Sequence, residues 1–204
     1  MVALFRVLPY LASARAGEPG HPLYVPPSTG AGRVDNPGRY GVLYVGDAAA
    51  GAVAVAEAFG WMPEWSALML RGRPALAGSV HALTRYELAD DAGVCDLDDA
   101  SRLVDLGLRP SQVVTRERAV TQAWALALFE QGAFAGVRWW SYYDPRWGSH
   151  GLWDTARLRP VDVERLTITH AAVLEAAEAL VRPFASFGAA GRTGPAPPAA
   201  DRVE

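Results

Sequence analysis

The chain has 204 residues, half of them apolar and a fifth charged, which is enough for one well-filled core or a domain with a tail. A net charge of −3 offers no basic face for nucleic acid, and the single cysteine, Cys95, excludes an intrachain disulfide and a cysteine-rich metal site. There is no lysine, so every basic side chain is arginine, the better residue for forked contacts to diphosphate and carboxylate.

Met1 to Arg6 is too short an apolar run for a signal peptide. No stretch reaches the roughly 20 apolar residues of a membrane span, so a cytoplasmic protein is expected. Leu4 to Val7 reads as a short strand. Pro9 to Pro37, rich in Pro, Gly and Ala, reads as a long loop, and loops of that length are often functional. Val42 to Val45 is a continuous apolar run, as in a buried strand. Ala48 to Phe59 follows as an alanine-rich helix stopped by Gly60 and Pro63. Between Asp47 and Glu64 the only charge is Glu57, and a carboxylate in so apolar a run has to be paired, capped or used.

Ser79 to Leu88 alternates like a half-exposed strand, and Val94 to Leu97 reads as another, with Cys95 an inert core residue. Asp98 or Asp99 caps a helix reaching Leu106, and Arg109-Pro110-Ser111 opens a turn. A helix capped by Thr115 and ended by Gly132 would bury Val120, Ala123, Trp124, Ala127 and Leu128 on one face. Gly136 to Ser141 reads as a core strand and Tyr142 to Gly151 as a turn. Leu152-Trp153 and Leu166 to Ile168 read as closing strands. Thr169 is expected to cap a last helix to Val181. Strands and helices without regular alternation indicate an α+β domain over residues 1–185, with a small mixed sheet and surrounding helices. Residues 186–204, rich in Gly, Ala and Pro, read as a disordered tail.

Most catalytic signatures are absent. Gly30-Ala-Gly32 begins like a dinucleotide fingerprint, but Asp35 takes the third glycine position. A phosphate-binding Walker loop would need a lysine. Gly148-Ser-His-Gly151 lacks the spacing of a nucleophile elbow. The four histidines show no metal-binding spacing and read as structural or surface residues, and no metal is expected.

What remains is an order of features: Arg6, then Gly32-Arg33-Val34-Asp35, then Val42-Leu43-Tyr44, then Glu57, then Gly136-Val137-Arg138-Trp139-Trp140-Ser141. This order over residues 4–155 resembles the RES domain of bacterial toxins from toxin–antitoxin modules, with Val34 where that family favours an aromatic. The resemblance implies a fold like that of ADP-ribosyltransferases and degradation of NAD+ at its nicotinamide–ribose bond, by hydrolysis or by phosphorolysis with inorganic phosphate as co-substrate. No other cofactor is implied. It implies Arg33, Tyr44, Glu57 and Ser141 as site residues, with Arg6 a further substrate-binding arginine and Arg39 the alternative to Arg33. It also implies a helix-turn-helix antitoxin partner, and leaves homo-oligomerisation open.

By chemistry, Glu57 suits an electrostatic role beside an oxocarbenium-like ribose, Arg33 a diphosphate, and Tyr44 a stack on nicotinamide or a bond to ribose. Ser141 could bond a ribose hydroxyl or the nicotinamide amide. Each has a plainer reading: Glu57 paired with a buried arginine such as Arg138, Arg33 an exposed loop charge, Tyr44 a core residue, Ser141 a strand-end serine. Two rival functions share the pattern: transfer of ADP-ribose to a protein, and an inactive nucleotide- or partner-binding module.

Overall fold

The computed structural model of the protein describes residues 1–47 and 51–185. The expected helix start at Ala48 to Ala50 and the expected tail at 186–204 lie outside the described residues.

The strands are β1 (Val2–Tyr10), β2 (Leu43–Gly46), β3 (Val80–Leu88), β4 (Val94–Asp96), β5 (Gly136–Trp140), β6 (Gly148–Leu152) and β7 (Leu158–Arg165). The helices are α1 (Ala52–Phe59), α2 (Ala100–Asp105), α3 (Pro110–Val113), α4 (Arg118–Glu130) and α5 (Ala171–Ala179). The strands form one sheet in the order β4-β5-β6-β2-β1-β3-β7, in which only β4 and β5 run parallel. The fold is α+β.

Strand register decides which side chains share a face, because successive residues point to opposite sides. Phe5 lies opposite Gly46, Gly46 opposite Ser149, and Ser149 opposite Trp139, so these share one face with Tyr44. Two groups of helices cover that face. One is α1 with α5, packed through Val53, Val55 and Val173 onto Leu83. The other is α2 to α4, whose Leu103, Val113, Trp124 and Leu128 pack against Val137 and Trp139. On the opposite face Leu4, Leu43, Val45, Tyr86 and Leu152 form a third cluster, closed by Leu23 and Val25 of the long loop.

β1 pairs with β3 along its whole length but meets β2 only where Phe5 faces Gly46. Beyond that point the two strands part and leave a gap in the middle of the sheet. The parting also explains why β1 continues through Pro9, where a loop is expected. That end of β1 has lost one neighbour, and proline is tolerated on a strand edge.

Other elements depart from expectation. Gly148 to Gly151, expected as part of a turn, lie with Leu152 in a fully buried strand between β5 and β2. Its glycines have low strand propensity, but flanking groups approach too closely for a side chain. A Cβ on Gly148 would lie 2.2 Å from a carboxylate oxygen of Asp47. The last strand is Leu158–Arg165, not 166–168, and it is an edge strand paired only to β3, so it accommodates Pro160 at a register shift. α4 buries Thr121, Trp124, Ala125 and Leu128, and Ala123 and Ala127 are exposed, so its inner face is rotated by about one residue from expectation. Thr121 can be inside because its hydroxyl donates to the Arg33 carbonyl at 2.6 Å. Thr115 does not cap α4; its hydroxyl accepts from Glu117 N, and Glu117 takes the cap position. His170, not Thr169, caps α5. Asp99 caps α2 and Cys95 is buried, as expected.

Candidate functional site

The two helix groups leave a trough on the sheet face they share. A cleft of about 440 Å³ occupies it, lined by Arg33, Tyr44, Glu57, Ser141 and Ser149, and by Arg116, Arg118, Trp139, Tyr142 and Tyr143. A second cleft of about 340 Å³ opens where β1 and β2 part, lined by Phe5, Arg6, Val7, Gly32 and Ala54. Tyr44 and Glu57 belong to both, so the clefts meet at these two residues.

Glu57 stands on α1, between buried residues that hold the helix on the sheet. Its Oε1 accepts a hydrogen bond from Ser149 Oγ of β6. Arg138 is not its partner: that guanidinium lies on the other sheet face and pairs with Asp47 at 2.8 Å and with Asp96 and Asp98 at 3.1 Å. Desolvation by the protein crowded around the Glu57 carboxyl pushes its pKa up to about 7, while the Ser149 bond and the charge of Arg33 pull it down. The residue is nonetheless exposed, through the open cleft, and water entering there opposes the rise. Glu57 is thus an acid that changes charge near neutrality and that a ligand can reach.

Arg33 and Tyr44 are positioned by one loop. The Tyr44 hydroxyl donates to Asp35 Oδ1 at 2.7 Å and accepts from Val34 N at 3.1 Å, and Asp35 Oδ2 accepts from Gly32 N. Gly32 is required there, because a Cβ would lie 2.2 Å from the Tyr44 hydroxyl oxygen. With its hydroxyl engaged, Tyr44 offers the cleft its ring, set edge-on to Trp139 at 6.5 Å. Arg33 Nη1 donates to the carbonyls of Val113 and Thr115, which ties the loop to the segment before α4. Burial lowers the Arg33 pKa, as does the neighbouring charge of Arg118, against the opposing pull of Glu57.

Ser141 is buried at the end of β5; its N donates to the Trp147 carbonyl, and its Oγ accepts from Tyr143 N at 3.3 Å. Arg6 borders the second cleft while its Nη1 donates to the carbonyls of Pro22 and Tyr24, so it also fastens the long loop. Arg39 lies elsewhere, paired on the surface with Glu130. Arg33, Tyr44, Glu57 and Ser141 therefore come together in one cleft, Arg6 lies at the adjoining one, and Arg39 lies at neither.

Ser149, Arg116 and Arg118 are cleft residues that the sequence did not single out. Ser149 sits in the strand read as a turn. Arg116 and Arg118 bracket Glu117, the cap residue of α4, and the local signal was a pair of cations at a helix N-terminus, where acids are favoured.

A family model described as the RES domain matches residues 4–178. Among solved structures, a chain of the M. tuberculosis MbcT-MbcA toxin-antitoxin complex is similar, at 18% identity and a TM-score of 0.60, over 85% of this chain and 87% of that one. At that identity the likeness is one of fold. No curated protein sequence matches.

Proposed function

Because the chain belongs to the RES-domain family, we propose that it is a toxin-type enzyme that degrades NAD+ by cleaving the nicotinamide–ribose bond. One observation carries this reading: an isolated acid, Glu57, hydrogen-bonded by Ser149 and open to a cleft lined by arginines and aromatic rings.

Cleavage expels neutral nicotinamide and leaves positive charge on the ribose. Ionised Glu57 stabilises that charge most when it is greatest, in the transition state, and its crowded surroundings strengthen the field. Ser149 holds the carboxylate in one rotamer, so little reorganisation accompanies the reaction. Arg33 binds diphosphate through the nitrogens that its loop contacts leave free, and Arg6 supports the loop on the far side. Tyr44 and Trp139 present flat apolar surface to nicotinamide or ribose, and Ser141 meets a ribose hydroxyl. With water as acceptor the products are nicotinamide, ADP-ribose and a proton. With inorganic phosphate the sugar leaves as its phosphate ester.

The similar fold of a protein solved as a toxin-antitoxin complex supports a protein partner here, an antitoxin that covers the cleft. Tyr142 at the cleft rim is 56% exposed and suits such a contact.

The test is purified protein mixed with NAD+, with and without phosphate, with nicotinamide followed by chromatography. Release of nicotinamide is expected, with ADP-ribose or its phosphate ester as the second product. Unchanged NAD+ under both conditions would sink the proposal, and label retained on a macromolecule would turn it into ADP-ribosyl transfer.

A further inference from the structure

The segment entering α4 holds more positive charge than the fold requires. A helix N-terminus already carries a partial positive charge from its unpaired N–H groups, and it favours an acid or a capping side chain. α4 has no capping side chain and no acid in its first turn; its one acid there, Glu117 at the cap, makes no side-chain capping bond and stands between two cations. Instead Arg116 and Arg118 stand there, beside Arg33. Burial and, after it, the charge of Arg118 lower the pKa of Arg33.

Glu57 opposes part of this charge from across the cleft but does not pair with any of the three. Among the described residues, Arg33, Arg116 and Arg118 form no ion pair, whereas Arg39, Arg138 and Arg159 all do. Each of the three is instead steadied by neutral groups. Arg116 Nη2 donates to the Tyr142 hydroxyl at 2.6 Å, and its guanidinium lies 5.2 Å over that ring. Arg118 Nε donates to the Ala31 carbonyl at 3.1 Å, and Arg33 Nη1 to Val113 and Thr115. The other guanidinium nitrogens of all three have no protein acceptor among the described residues. Three held cations that line one cleft and keep free donors make a poor structural device and a good anion site.

We infer that Arg116 and Arg118, together with Arg33, form a phosphate-binding subsite at the mouth of α4. The ligand chemistry is a phosphate group, which can come from the diphosphate of the dinucleotide or from free inorganic phosphate acting as acceptor. The subsite deepens the NAD+ reading above and rests on it for its place in the reaction. The Arg116–Tyr142 contact joins the α4 segment to the turn after β5, so ligand binding there also fixes that rim.

The experiment titrates the full chain with inorganic pyrophosphate, inorganic phosphate and ADP-ribose by calorimetry. It uses wild type, Arg116→Ala, Arg118→Ala, Arg118→Lys and, as a charge-loss control, Arg39→Ala. Pyrophosphate affinity is expected to fall about tenfold or more in each alanine variant and less in Arg118→Lys, and to stay unchanged in Arg39→Ala. Thermal melts matching wild type show that the variants fold, and Arg118→Lys carries the test if an alanine variant does not. A fall in ADP-ribose affinity identifies the dinucleotide's diphosphate as the source. A fall confined to inorganic phosphate, with a raised phosphate KM in turnover, identifies the free acceptor. Equal affinities in wild type and both alanine variants, or no phosphate binding by wild type, would overturn the subsite. If pyrophosphate binds through these arginines but NAD+ is not cleaved, the proposed function fails and the subsite stands. NAD+ cleavage with unaltered phosphate affinities gives the reverse.

Discussion

Glu57 has surroundings that serve two ends at odds. The crowding that sharpens its field also raises its pKa to about 7, above the value in an unfolded chain. Between the unfolded value and the folded one, the native state binds more protons than the unfolded state, so stability falls as pH rises across that interval. Below it the acid is neutral in both states and carries no penalty; above about pH 7 the penalty is complete. Glu57→Gln should therefore melt at a higher temperature than wild type at pH 8 and at the same temperature near pH 4. The same substitution should reduce kcat about 10²–10³-fold with little change in KM, because the charge acts mainly in the transition state. Steady-state kinetics against NAD+ checks this, and an equal loss in binding would contradict it. Ser149→Ala removes a bond that stabilises the ionised form, so the acid limb of kcat/KM against pH should move upward. Val34, where the family favours an aromatic, is fully buried among core residues beside Gly151 and does not line either cleft.

β6 is the element on which this site turns, and it is held from the face away from the cleft. Asp47, at the end of β2, accepts from Gly148 N at 2.7 Å and from Arg138 Nε at 2.8 Å, and lies 3.3 Å from His150 Nε2. Against the desolvation of partial burial, the bonds to His150 and Arg138 hold its carboxyl well below the usual range. Gly148 and His150 flank Ser149, so one carboxylate grips β6 on both sides of the serine that orients Glu57. Asp47→Asn should cost about 2 kcal/mol in chemical denaturation. It should also lower kcat more than it raises KM, because Ser149 loses its setting while the arginine wall is untouched. Gly148→Ala should fail for a related reason: its Cβ would lie 2.2 Å from an Asp47 carboxylate oxygen, so that carboxylate would have to give up its hold on β6.

At the scale of the molecule, the clefts exist because β1 and β2 pair at one point and then part, while the helices gather in two groups on one face. A ligand bound there touches both halves and stabilises only the folded chain. ADP-ribose at 100 times its Kd should add about 2.7 kcal/mol. For a chain of this size that corresponds to a melting shift of about 5–10 °C. A melt unmoved by saturating ADP-ribose would contradict the assignment of the cleft.

The sequence by itself determined the α+β class, the buried strand at Val42 to Val45, the helix carrying one acid and the order of motifs that marks the family. These follow from local spacing and from residue types that admit few alternatives, such as a lone Glu in an apolar run. Only the tertiary structure decided that Gly148–Leu152 is a central strand, because its glycines signal a turn locally and are explained only by Asp47 and Val34 packed against them. It also separated Arg33 from Arg39, and Ser149 from Arg138 as the partner of Glu57. Those choices depend on which residues, some 90 positions apart in the chain, end on the same face of the sheet. That is set by register across strands, which no local pattern records.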